Sequence, residues 1–230
     1  MYLRKSRNSG WNILSAILTE KHTLYRSEFG FNTDELLPAD HSYMHGKKGL
    51  RDHLRSIGLP YFAVYTGAFA EFVRPLFTTV SSDNELEIIG EGDAKSSFTA
   101  IPDIAAFVAE STSSELSDRM RSTFSVILTL AQLIAVPLER LANQAIGITG
   151  IRTSVKEIAE RTKVKQPEIV ITHRSIEDVT AEYERTQDFV LWLKLQYALG
   201  RGKSEGQKGQ AGREKEFYPG WSPKAIENFV

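Results

Sequence analysis

The apolar positions of the chain fall into short runs whose spacing alternates between strand-like and helix-like. Tyr61 to Thr66 is rich in aromatic and β-branched residues and closed by Gly67, which predicts a mostly buried strand. Upstream, Tyr43 to Ser56 fits a helix. Leu50 and Leu54, four apart, would share its apolar face, Gly58 ends it, and Pro60 opens the next element. Thr23 to Tyr25 is a short extended stretch, and Ala68 to Phe77 a short helix or loop. Leu86–Ile89 and Ser96–Thr99 flank Gly90-Glu91-Gly92-Asp93, which predicts a hairpin. Asp103 opens an apolar helix that ends near Ala109, its carboxylate suited to the positive end of the helix dipole. Ser154 and Glu157 have the spacing of a capping box. Glu168 to Thr172 reads as a strand, and Ser175 caps a long helix expected to reach Ala198 and stop at Gly200. The apolar run Phe124 to Val136 reads as a buried helix, too short for the ~20 residues that cross hydrocarbon.

Strands alternating with helices favour an α/β layout, although too few strands are visible for a full doubly wound sheet. The apolar fraction of 41% and charged fraction of 25% are those of a globular protein. The net charge of -1 gives no reason to expect nucleic acid or an anionic membrane as partner. There is no cysteine, which excludes disulfides, thiolate metal sites and a cysteine nucleophile, and which fits a reducing, cytoplasmic setting. Arg4, Lys5 and Arg7 precede the apolar stretch Trp11 to Leu18, but no small-residue cleavage site follows. The organisation expected is a separate N-terminal segment over residues 1–22 and a main domain over 23–200 with an atypical insert at 111–136. A flexible glycine-rich loop at 201–216 and a tail at 217–230 that packs back complete it.

Few motifs carry chemistry by themselves. Gly90-x-Gly92 lies between two strands and reads as a turn, not a phosphate loop. Gly202-Lys203-Ser204 lacks the earlier glycine and the preceding strand of a nucleotide-binding loop. His41 and His45 could share a helical face, but no third ligand is in view, so they read as loop and helix-start surface. Lys47 and Lys48 sit at the start of a helix just after a sheet edge. A lysine there acts as acid or base when partly desolvated; otherwise the pair is a solvated surface.

Taken together, several segments resemble the NmrA-like and isoflavone-reductase-like family of atypical short-chain dehydrogenases. Ser27-Glu28-Phe29-Gly30 resembles that family's S-E-F-G signature, and Lys47-Lys48-Gly49-Leu50-Arg51 its K-x-x-I/V-R helix. Gly58-Leu59-Pro60-Tyr61 through Gly67-Ala68-Phe69 resembles its G-I/L-P-Y-T strand and aromatic turn. Gly92-Asp93 to Ala109, Leu141 to Glu160 and Phe189 to Gly200 are similar to later segments. Residue 26 is arginine where the family has proline, and residues 1–22 resemble nothing in it. The family's glycine-rich phosphate turn and first half-sheet are expected to be missing.

The resemblance implies an incomplete Rossmann-like parallel sheet with a C-terminal α+β substrate-binding region. It implies NADPH-dependent reduction of a small aromatic or phenolic molecule, with Lys47 supplying or relaying the proton. Ser27, Phe29, Gly67 and Phe69 would meet NADP(H), and Phe29 and Phe69 also the substrate. Tyr61 and Tyr65 are core candidates first, and the helix from Tyr183 to Leu199 would wall the pocket. Lacking the phosphate turn, the chain would be an impaired reductase. The alternative is a non-catalytic NADP-sensing or regulatory protein-binding module.

Overall fold

The computed structural model describes residues 23–28, 30–79, 82–111, 134–136, 141–205 and 213–223. The expectations for residues 1–22 and for most of 111–136 therefore lie outside the described residues, as does Phe29.

Four strands form the first sheet. They are β1 (Thr23–Ser27), β2 (Tyr61–Tyr65), β7 (Ile134–Val136) and β8 (Gln144–Gly147), in the order β7-β1-β2-β8. β1, β2 and β8 run parallel, and β7 pairs antiparallel with β1. Every residue of β2 is buried, as a strand covered on both faces requires. Its side chains alternate between two cores. Tyr61 and Ala63 join Leu24 and Leu54 on one face. Phe62 and Val64 join Ile104, Phe107 and Ile146 on the other. Helix α1 (Ser42–Ser56) covers the first face through Leu54, and α3 (Ile101–Ser111) covers the second.

Among the described residues two three-stranded sheets accompany the first sheet. One joins β10 (Val170–Arg174), β5 (Ser82–Ile89) and β4 (Thr78–Thr79); the other joins β3 (Ala68–Phe69), β6 (Lys95–Thr99) and β9 (Ile151–Ser154). Around them pack α2 (Val73–Phe77), α4 (Val155–Lys165), α5 (Ile176–Thr186) and α6 (Phe189–Ala198), over a core that includes Ile88, Ile158, Val179 and Trp192. A short α7 (Glu214–Phe217) brings Phe217 into the second core, against Phe62. The capping box at Ser154 and Glu157 is formed in full, at the start of α4. Among the described residues no helix is long and apolar enough to cross a membrane.

Four expectations need correction. The strands on either side of Gly90 and Gly92 do not form a hairpin. Both glycines turn the chain at positive φ, but β5 pairs in parallel with β10, and β6 pairs with β3 and β9. The single helix expected from Ser175 to Ala198 is two. Gln187 adopts left-handed geometry at φ 54°, and Asp188 caps α6 through the Val190 and Leu191 amides. Leu50 does not share the buried face of α1: it is 44% exposed, whereas Met44, Arg51 and Leu54 are buried. Ile134–Val136, expected at the end of a buried helix, is strand β7.

Residues 201–205 of the glycine-rich segment pack across the sheets. Gly202 accepts a hydrogen bond from the Ser97 amide, Lys203 accepts one from the Asn32 amide, and Ser204 is buried.

Candidate active site

Parallel strands place their functional loops at the carboxyl ends, and a cleft lies there, beyond β1 and β2. Its volume is about 340 Å³, near the lower end for small-molecule pockets. Gly30, Gly67, Ala68 and Phe69 come from the strand ends. Tyr43, Met44 and Lys47 come from the first turns of α1, Phe72 and Leu76 from the segment after β3, and Phe189, Leu193 and Tyr197 from α6. Lys47 is the one Lys, Arg, Asp or Glu among these lining residues.

The Lys47 ammonium donates to the main-chain oxygen of Glu28 at 3.3 Å and lies 5.4 Å from the centroid of the Tyr43 ring. It is half-buried, unlike the solvated surface pair that two adjacent lysines suggest. Lys48 is the surface partner, bonded to Asp52 at 2.6 Å one turn on. The aromatic wall is built by edge and stacking contacts, a favoured arrangement for ring pairs. Phe189 meets the Tyr43 ring edge-on at 5.6 Å and stacks on Trp192 at 5.7 Å. Tyr197 stacks on Phe98 at 5.5 Å, and its complete burial pushes the phenol pKa up. It is a neutral wall residue.

The break between α5 and α6 sets this wall against α1. His41 caps α1: its Nδ1 accepts from the Tyr43 amide at 3.2 Å, and its Nε2 donates to the Gln187 oxygen at 3.2 Å. His45 Nε2 donates to the Leu37 oxygen. Among the described residues no group of three His, Cys, Asp or Glu side chains could hold a metal ion.

Asp40 ties the same wall to the loop before α1. Its carboxylate accepts from the Leu37 amide at 2.6 Å, from the Trp192 indole at 3.2 Å, and from both terminal nitrogens of Arg201 at 2.9 and 2.6 Å. Burial alone would raise its pKa, but Arg201, the Leu37 amide and the indole outweigh burial and hold it below the ordinary 3.8. Asp40→Asn is expected to cost about 2 kcal/mol at neutral pH, less than for a fully buried pair because Arg201 is partly exposed. The carboxylate's contribution is complete above its unfolded pKa and is lost as pH falls through the lower folded value. The difference in urea midpoint between the two chains should be constant at neutral pH and shrink in acid. A difference unchanged in acid would show that the charge of Asp40 contributes nothing.

Of the residues singled out in the sequence, Lys47, Gly67 and Phe69 come together at this cleft. Ser27 ends β1, where its backbone pairs with Val64; Phe29 lies outside the described residues. Tyr61 and Tyr65 are core residues, both fully buried. Tyr43, Phe72, Leu76 and Asp40 went unnoticed. The pair Tyr43 and Lys47, four apart on one helix, was the available signal for the first. Phe72 is 56% exposed and carried none.

Among the described residues no glycine-rich turn leads from a strand into a helix. The cleft has room for a flat ring beside the Lys47 ammonium.

No family model matches the chain, and no curated protein matches it. Solved structures do. An isoflavone reductase superposes with a TM-score of 0.64 at 18% identity, over 89% of this chain and 64% of the other. A leucoanthocyanidin reductase from Vitis vinifera, solved with NADPH, gives 0.63 at 15% identity, over 89% and 63%. A structure with NADP+ and pinoresinol gives 0.57 at 16% identity, over 90% and 64%. The chain thus spans less than two thirds of the length of each of these. Over the part it spans, it is an α/β protein with the Rossmann-like parallel sheet of the reductase fold.

Proposed function

We infer that the chain is an NmrA-like, isoflavone-reductase-like protein whose cleft takes a small aromatic or phenolic molecule for reduction with NADPH. The observation that carries this reading is the half-buried ammonium of Lys47 in an otherwise apolar, aromatic-walled cleft at the carboxyl ends of parallel strands. NADPH, when bound, would supply the hydride. Lys47 would give a proton from Nζ to the oxygen that gains negative charge as the substrate is reduced. Gly67 and Phe69 would border the cofactor ring and the substrate, and the aromatic walls would exclude water. Solved neighbours with NADPH and with NADP+ and pinoresinol support the cofactor and the aromatic substrate class.

A thermal melt of the chain with and without NADPH tests the reading. At about 100 times its dissociation constant, a ligand adds about 2.7 kcal/mol and raises the midpoint by several degrees. A clear shift sends the chain to a turnover screen with isoflavones and pinoresinol. A cooperative melt without a shift overturns the cofactor assignment. It would favour the second reading, a non-catalytic regulatory module for a protein partner.

A further inference from the structure

Beneath the cleft floor lies a buried charge cluster that the reading above does not use. Arg51 is on α1, one turn beyond Lys47 and on the same side of the helix. Its side chain is 1% exposed. One terminal nitrogen is 3.1 Å from a carboxylate oxygen of Glu28, which is itself fully buried. The other is 2.7 Å from Asp34. The guanidinium also donates to the Thr33 hydroxyl and lies 5.7 Å from the centroid of the Tyr65 ring. Burial would lower its pKa, but Tyr65, Glu28 and Asp34 outweigh burial and hold it above the ordinary value.

Glu28 connects this cluster to the site. Its side chain pairs with Arg51, and its main-chain oxygen accepts from Lys47. Two residues on, the Gly30 oxygen accepts from the amides of Thr66 and Gly67, at 3.1 and 3.0 Å, and Gly30 and Gly67 both line the cleft. Burying an ion pair commonly costs more desolvation than its attraction returns, and apolar side chains of the same volume would fill the space at least as favourably. What the planar guanidinium provides is direction, since its donors reach several acceptors at fixed angles. The charges of Lys47 and Arg51 balance those of Glu28 and Asp34, so the floor carries no net charge.

Building on the assignment of the proton donor to Lys47, we propose that Arg51 is a positioning residue. It locks Glu28 so that the main chain of Glu28 holds the Lys47 ammonium at the floor of the cleft.

The test needs neither cofactor nor turnover. The purified chain is treated with limiting acetic anhydride, and acetylation at Lys47 and Lys48 is followed by peptide mass spectrometry. Lys48, on the surface of the same helix, is the internal control. In Arg51→Met the rate at Lys47 is expected to rise about fivefold, the effect of losing one hydrogen bond, while Lys48 stays within about twofold. Arg51→Lys, which retains a cation for Glu28, should bring Lys47 back towards the native rate. Should Arg51→Met fail to fold, Glu28→Gln decides: it keeps the main-chain oxygen and the volume but removes the ion pair, and Lys47 should again acetylate faster. An unchanged Lys47 rate in a folded variant overturns the proposal, and so does an equal rise at Lys47 and Lys48. A chain that ignores NADPH but shows the selective rise keeps the positioning role and loses only the reductase reading.

Discussion

Gly67→Ala is expected to destabilise the chain by about 3 kcal/mol or more and to blunt its urea transition. Gly67 sits at φ +64°, where the Cβ of an alanine costs about 1–2 kcal/mol. Steric contact adds more. A Cβ there would lie 2.1 Å from the Ser97 main-chain oxygen and 2.7 Å from its carbonyl carbon. Ser97 cannot retreat cheaply, because β6 is fastened on several sides. The Ser97 amide donates to Gly202, the Gly150 amide donates to Phe98, and the Thr99 hydroxyl bonds the Thr66 oxygen at 2.7 Å. The strand would have to move as a body, taking the floor of the cleft with it. Gly46→Ala on α1 is the matched control. No atom lies within 4 Å of its Cβ position, and a helical glycine replaced by alanine gains about 0.5–1 kcal/mol. Chemical denaturation of the three chains measures both effects. If Gly67→Ala falls within about 1 kcal/mol of the native chain, the close approach of the turn at Gly67 to β6 is wrong.

What could be read from sequence and what could not divide along the range of the interactions involved. β2 was legible because a strand buried on both faces is written as a continuous apolar run. The caps at Ser154 and Ser175 were legible because each is completed within three residues. The turn at Gly90 and Gly92 shows the limit. Both glycines need positive φ whatever follows, but whether the flanking strands pair with each other depends on Val170–Arg174, far along the chain. Leu50 lies off the buried face of α1, and Arg51 on it, for a similar reason. Glu28 and Asp34 give a buried guanidinium its partners, and no periodicity in α1 announces them. The break at Gln187 carried neither glycine nor proline; only Asp188, followed by an apolar run, marked a second helix start. In the site, Lys47, Gly67 and Phe69 were found by family resemblance. The Phe189 wall depends on how α6 meets α1, through His41 and the Gln187 oxygen.

The second large effect is chemical and falls on Lys47. Once a turned-over phenolic is found, Lys47→Met should lower kcat by about 10²–10⁴, the usual weight of a positioned proton donor. The thermal shift with NADPH should remain if, as proposed, Lys47 serves the substrate and not the cofactor phosphates. Methionine keeps the length and the apolar stem, so Tyr43 and Met44 retain a neighbour of similar bulk. Lys47→Arg separates two roles that a simple deletion confounds. Arginine restores the positive charge but does not release a proton near neutral pH. If Lys47 acts by donating a proton, Lys47→Arg stays as impaired as Lys47→Met. If it acts only by its charge, Lys47→Arg recovers most of the rate. Lys48→Met should behave as the native chain, since Lys48 reaches only Asp52 at the surface. Turnover by Lys47→Met within about threefold of native would remove Lys47 from the chemistry altogether. The ammonium under the aromatic wall would then be a binding group, and the proton would have to come from solvent.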